Sequence, residues 1–408
     1  MNFTTKKMRR NWLKQINNGS CEIDTSYDFS CMDRYVENRK IVLIGESSHG
    51  IAEYYTTKIN MIKYLHEKHG FNVVVLESGL LEGVLCKRLL DQMSPKEQIQ
   101  HSLLDIFHNE EMIPLFNEPW ANQIHIAGMD IQPTYPKVSN ALLSWVQKHI
   151  DDELYNTLVE VEQLFFDIDK EIRGKTKIPK KLKQDISKCI EKYHASLEVT
   201  KSKIKNVENL EIHKMLRLVL RGIENRIKWL KINLQSFIAS GVQRGNYMFT
   251  NLKWLIEDYY AGEKVIVWAH NFHIRKSKTI TSKLFRITNV GQLLKDHYDE
   301  KIYSVGLYAG KGKFSSLLRV SFPINTSKKK HLENILLEAN AHNCFVPLSN
   351  IDLPKRNWLN RRWWLLEAGM MGQLPIAIFP QKHYDAIMFC REVTPPSYFN
   401  GNEERAFN

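Results

Sequence analysis

Residues 40–78 read as a short apolar run, an amphipathic stretch and a second apolar run, and that order leaves few folds open. "KIVLIG" (40–45) and "FNVVVLES" (71–78) are nearly continuous in Val, Ile and Leu, as suits strands covered on both faces. Between them, Tyr55, Ile59, Ile62 and Leu65 recur at helical spacing, and Gly70 stands where a helix would stop. Strand, helix, strand is the βαβ unit, whose crossover makes the two strands parallel. Further runs of the same kind follow: "IHIAGMD" (124–130), "KVIVWAH" (264–270), "KIYSVGLY" (301–308), "LPIAIF" (374–379) and "YDAIMFC" (384–390). The expectation is an α/β protein with a mostly parallel central sheet flanked by helices.

The alternation stops between 137 and 258. "LYNTLVEVEQLFFDI", "ISKCIEKYHASLEV" and "MLRLVLRGIENRIKWLKINLQSFI" carry helical periodicity, and no strand pattern interrupts them. This predicts a catalytic core of 1–136 and 259–408, with 137–258 as a large all-helical insertion forming a cleft wall or lid. The 408 residues carry a formal charge of +12, but the excess is spread out. Its densest run, "RGKTKIPKKLK" (173–183), reads as a solvated loop and helix start, and no nucleic-acid motif appears, so no nucleic-acid partner is expected. No window is apolar enough to span a membrane, and no apolar stretch follows the basic N-terminus as in a signal peptide. Six cysteines lie scattered without a C-x-x-C pair, as reduced thiols in a cytoplasmic protein would.

In open α/β sheets ligands bind beyond the carboxyl ends of the strands. The run 40–45 delivers Glu46 and His49 there, 71–78 delivers Glu77, 124–130 delivers Asp130, and 264–270 delivers His270 and then His273. Four successive strand ends carrying an acid or an imidazole make a constellation. A serine nucleophile does not fit "GESSHG": the elbow requires glycine two residues after the serine, and position 49 is histidine. Two chemistries stay open. His49, His270 and His273 with a carboxylate would make a zinc or manganese set that acidifies a bound water. Alternatively, a carboxylate-oriented histidine takes a proton from water without metal, while a second imidazole or a cation stabilises the oxyanion.

With those residues in place, the chain resembles the erythromycin esterase family, hydrolases that open macrolide lactones, together with relatives named for succinoglycan biosynthesis. "IGESSHGIAEYYTTKINMIKYL" is similar to the family's G-E-x-[ST]-H segment and the helix after it. "VVVLESG", "IAGMDIQ" and "VIVWAHNFHIRK" are similar to its glutamate strand, its G-x-D segment and its A-H-N-x-H segment, and "HYDAIMFCREVTPP" to its closing strand. The resemblance implies catalytic roles for Glu46, His49, Glu77, His270 and His273, the first histidine activating water, with no cofactor required. It implies substrate binding at Lys58, Asp130, Arg244 and Asn251. Two departures bear on the substrate. Lys58 stands where at least one macrolide esterase has arginine, so it offers charge without the bidentate fork. Gly245, after Arg244, stands where many members carry Asp. The expected partner is a small-molecule ester or macrolide. A metal-dependent hydrolase, or a non-esterase member linked to polysaccharide biosynthesis, is the alternative.

Overall fold

The computed structural model describes residues 6–399 apart from 174, 176, 285, 327, 350–356 and 370–371. Its strands are β1 (Cys21–Ile23), β2 (Ile41–Ile44), β3 (Phe71–Gly79), β4 (His125–Asp130), β5 (Lys264–Trp268), β6 (Ile302–Ser315), β7 (Ser321–Pro323), β8 (Asn343–Pro347), β9 (Trp363–Gly369), β10 (Gly372–Ile378) and β11 (Ala386–Val393). The chain forms two compact units. One comprises the described residues up to Val74, Asn109–Ile124 and those from Glu263 onward; the other comprises Val75–His108 and His125–Gly262. The boundary falls within β3.

The first unit holds the sheet order β1-β8-β11-β6-β2-β5-β3. The centre is parallel: β11 with β6, β6 with β2, and β2 with β5. The β8 and β1 edge is antiparallel. All four residues of β2 are buried, as a strand covered on both faces must be. The helix Ala52–His69 packs a stripe of Tyr55, Ile59, Ile62 and Leu65 into the core. It ends at Gly70, whose φ of 67° suits a residue without a β-carbon; its N–H caps the His66 carbonyl.

Two strands depart from the simple pattern. β6 runs for fourteen residues but pairs with β2 only over Ile302–Val305, so it continues well past the end of β2 before turning back into β7. The run "LPIAIF", expected as another covered strand, falls in β10, which pairs antiparallel with β9 in a separate two-stranded sheet. Leu374 is there largely exposed, and Pro375 brings no N–H to a ladder.

In the second unit, the end of β3 lies beside β4. Every described element from Pro136 to Tyr259 is helical: Pro136–His149, Asp152–Ile172, Lys180–Lys205, Leu210–Asn233, Phe237–Trp254, and the π-turn Leu255–Tyr259. Asp151 and Asn209 cap two of these helices through their side chains. Of the basic run 173–183, residues 174 and 176 lie outside the described residues; Lys180, Lys181 and Lys183 are exposed at a helix start. Leu158, Phe165, Tyr193, Leu216 and Val219 are buried in this unit. Among them Glu82 and Glu162 hold the buried Arg226. Among the described residues no helix is long and apolar enough to cross a membrane.

Candidate active site

The turn after β2 is held from both sides. Gly45 donates its N–H to the Val305 carbonyl at 2.8 Å, and the Glu46 carbonyl accepts from Asn271 N–H at 2.7 Å. A β-carbon at position 45 would overlap Asn271 Oδ1, so glycine is what lets the β5 segment approach so closely.

Glu46 is buried, and its two carboxylate oxygens face different partners. Oε1 lies 2.6 Å from His49 Nδ1. Oε2 accepts from the Lys58 ammonium and, at 3.3 Å, from the Trp268 indole N–H. Lys58 is itself fully buried, its ammonium 4.0 Å from the Trp268 ring centroid. Burial pushes the Glu46 carboxyl up, but Lys58 and His49 together outweigh it and bring it down to about 2. Glu46 is therefore a carboxylate at any working pH. Lys58, expected from the resemblance to meet substrate, points its charge at Glu46 and the indole.

His49 keeps 17% of its side chain exposed, and its carbonyl accepts from Tyr55 O–H at 2.8 Å. With a carboxylate on Nδ1, that nitrogen carries the proton of the neutral ring, and Nε2 is its basic nitrogen. His270 has the opposite arrangement. It caps the short helix Asn271–Ile274, its Nδ1 accepting from Phe272 N–H at 3.1 Å, so the neutral ring carries its proton on Nε2. The His49 and His270 rings lie 5.2 Å apart, centroid to centroid. His273 follows on the same turn, its N–H on the His270 carbonyl at 2.8 Å and its ring edge-on to Phe272. Ser47 is buried, with Oγ 2.7 Å from Tyr54 Oη, and the Ser48 hydroxyl accepts from Gly50 N–H at 3.1 Å. Both hydroxyls are engaged in holding the turn.

One stretch of β9 ties these segments together. Ala368 N–H bonds the Ser47 carbonyl at 2.7 Å. Its neighbour Glu367 takes the buried Arg275 guanidinium, which continues the histidine segment, and the Tyr308 hydroxyl at 2.9 Å. Arg275 also donates to Tyr384 Oη at 3.2 Å.

The second unit gathers the other expected residues into a group of its own. Asp130, buried at the end of β4, receives Arg244 Nε at 3.1 and 3.0 Å on its two oxygens, and Arg244 also reaches Gln132 Oε1 at 2.9 Å. Burial pulls the Arg244 guanidinium down, but Asp130 and then Glu77 raise it above its usual value, which places Glu77 within its electrostatic reach. Asn251 is fully buried, donating to the Met129 carbonyl and accepting from Arg221, each at 3.0 Å. Its amide is committed to the scaffold at both ends.

Sequence reasoning did not pick out Trp268, Arg275 or Glu367. Trp268 carried a signal, lying two residues before His270 on the same strand run. Glu367, ninety-two residues from Arg275, carried none. Among the described residues no group of three or more His, Cys, Asp or Glu side chains is arranged to hold a metal ion.

A family model described as erythromycin esterase matches residues 66–393 of the chain. The Bacillus subtilis (strain 168) protein named "Putative hydrolase YbfO" is 26% identical over 394 residues, covering 90% of this chain and 87% of that one. "Erythromycin esterase type II" of Escherichia coli is 22% identical over 367 residues, covering 80% and 85%. A solved structure described as a succinoglycan biosynthesis protein superposes with a TM-score of 0.76 at 19% identity, covering 96% of this chain and 99% of that one, a likeness of fold.

Proposed function

The chain belongs to the erythromycin esterase family of hydrolases, and on that premise we propose that it hydrolyses an ester or lactone, of the macrolide kind, by water that His49 activates. The observation that carries this reading is the 2.6 Å contact between His49 Nδ1 and a buried, ionised Glu46, with His270 alongside. His49 Nε2 takes a proton from water as the oxygen attacks the carbonyl carbon. Glu46 holds the ring in the required tautomer and stabilises the imidazolium that forms, while remaining a carboxylate itself. His270, its ring 5.2 Å from that of His49, stabilises the developing oxyanion. Collapse of the tetrahedral adduct expels the alkoxide, which regains a proton from the His49 imidazolium, giving acid and alcohol. Lys58 acts through Glu46, keeping it charged at the bottom of the site. No step requires Ser47.

The macrolide substrate rests on the family and on the name of the Escherichia coli relative. The test is mass spectrometry of erythromycin incubated with the purified chain, where hydrolysis adds one water. His49→Ala is expected to lower the rate by about 10³-fold or more while circular dichroism stays unchanged. A variant as active as the parent removes His49 from the chemistry. Glu77 is carried as a separate proposal from its strand-end position: Glu77→Gln is expected to slow turnover at least about tenfold with the melting temperature retained. Parental turnover in that variant dismisses it.

A further inference from the structure

β6 pairs with β2 through Val305 and then runs ten residues further, on the side of the sheet where Glu46 and His49 lie. At its far end Ser315 donates its N–H to the Gly50 carbonyl at 2.8 Å, one residue past His49. The contact is intimate: a β-carbon at Gly50 would overlap the Ser315 backbone. The chain then turns through Ser316–Val320 into β7, with Phe314 stacked on Phe322.

This turn is firmly built. Ser316 is buried, its N–H meets the Val320 carbonyl at 2.9 Å, and Arg319 N–H returns to the Ser316 carbonyl at 2.9 Å. Arg319 takes φ of 59° and lays its guanidinium 4.5 Å from the Tyr398 ring centroid. Yet Leu317, Leu318 and Val320 are exposed by 50%, 40% and 51%. Polar groups hold the backbone while three apolar side chains, within four positions, are left in water. An apolar patch held in water by a built turn marks a surface that something covers. The Ser315–Gly50 hydrogen bond sets the base of this hairpin one residue past His49, and on that ground the ligand held at His49 is taken as the occupant.

We propose that the Leu317–Leu318–Val320 hairpin tip is the specificity element of the site, covering the apolar body of the ester whose carbonyl lies at His49. The substrate class is then an ester or lactone with a bulky hydrocarbon portion. The proposal rests on the hydrolytic reading above and deepens it.

The experiment compares p-nitrophenyl octanoate with p-nitrophenyl acetate as substrates of the full chain. In parallel, calorimetry measures binding of N-phenyloctanamide, an uncleaved amide analogue. The variants are the triple Leu317→Ser/Leu318→Ser/Val320→Ser and, as a control, Leu284→Ser, an exposed leucine elsewhere in the unit. The triple variant is expected to lower the octanoate-to-acetate ratio of kcat/KM about tenfold and to weaken octanamide binding by a similar factor, with the ratio kept in the control. An unchanged ratio and unchanged binding overturn the proposal while leaving the hydrolase standing. If the parent cleaves neither these esters nor erythromycin, the hydrolytic reading fails; octanamide binding weakened tenfold by the triple variant then still upholds an apolar subsite, and unweakened binding sinks it. A parental dimer that the triple variant dissociates on sedimentation overturns the proposal in favour of a self-association surface.

Discussion

Replacing Lys58 by methionine keeps most of the unbranched side chain and removes the charge beside Glu46. At neutral pH the carboxylate is then a buried charge without its cation, and the loss of one partner from such a pair costs about 3–5 kcal/mol. The pH dependence is the sharper signature. In the wild type the unfolded chain binds the Glu46 proton near its ordinary 4.5 and the folded chain only near 2. Stability from this group is therefore fully present above pH 4.5 and lost as pH falls through 2, about 3 kcal/mol in all. Without Lys58, burial is opposed by His49 alone, and that gain shrinks. The stability gap between wild type and Lys58→Met is expected to widen by about 2 kcal/mol from pH 3 to pH 5. Urea unfolding followed by circular dichroism at half-unit steps reads it directly, with Lys58→Arg as a variant that keeps the charge. A gap of constant size across that range would refute the argument that Lys58 is what holds Glu46 ionised.

Glu333, buried with the Leu366 N–H on its Oε1 at 2.6 Å, is pushed up by burial to about 8. Its contribution is full below 4.5 and lost as pH rises through 8, so wild type is expected to weaken relative to Glu333→Gln by about 1.4 kcal/mol per pH unit between 5 and 8. Equal urea midpoints for the two proteins at pH 5 and pH 8 would contradict this. Gly45→Ala forces Asn271, and with it the His270 segment, away from the β2 turn. The expected result is a loss of about 2 kcal/mol in stability together with slower turnover; an alanine variant with parental melting temperature and rate would show that the segment yields freely.

The parts of the fold that could be read in advance are those where one face pattern serves one purpose. β2, β3, β4 and β5 are short, largely buried runs; Asp130 ends β4, Glu46 and His270 lie two residues past β2 and β5, and β3 continues two residues beyond Glu77. Lys58 was legible in a way that the resemblance to an arginine obscured. It lies on the stripe of Tyr55, Ile59 and Ile62, and a lysine on the core face of a helix requires a buried anion. β10 was misread because Val, Ile and Leu content alone does not say which sheet a strand joins; β9, its partner, had no signal of its own. The long continuation of β6 was hidden for a related reason. "AGKGKFS" alternates too weakly to read as strand, and its pairing with β11 supplies the missing order. Arg275 and Glu367 meet only because the chain returns after ninety-two residues, and local spacing carries no trace of that.

The sharing of Glu46 between His49 and Lys58 also limits how such a protein can diverge. A neutral residue at 58 strands a buried charge, and a neutral residue at 46 strands another, besides depriving the imidazole of its partner. Each single step carries a cost in stability that the other partner cannot relieve, so the two positions are expected to be epistatic unless the cation is exchanged for a cation. Change is therefore expected to be easier at exposed positions such as Leu317 and Leu318 than at the buried pair.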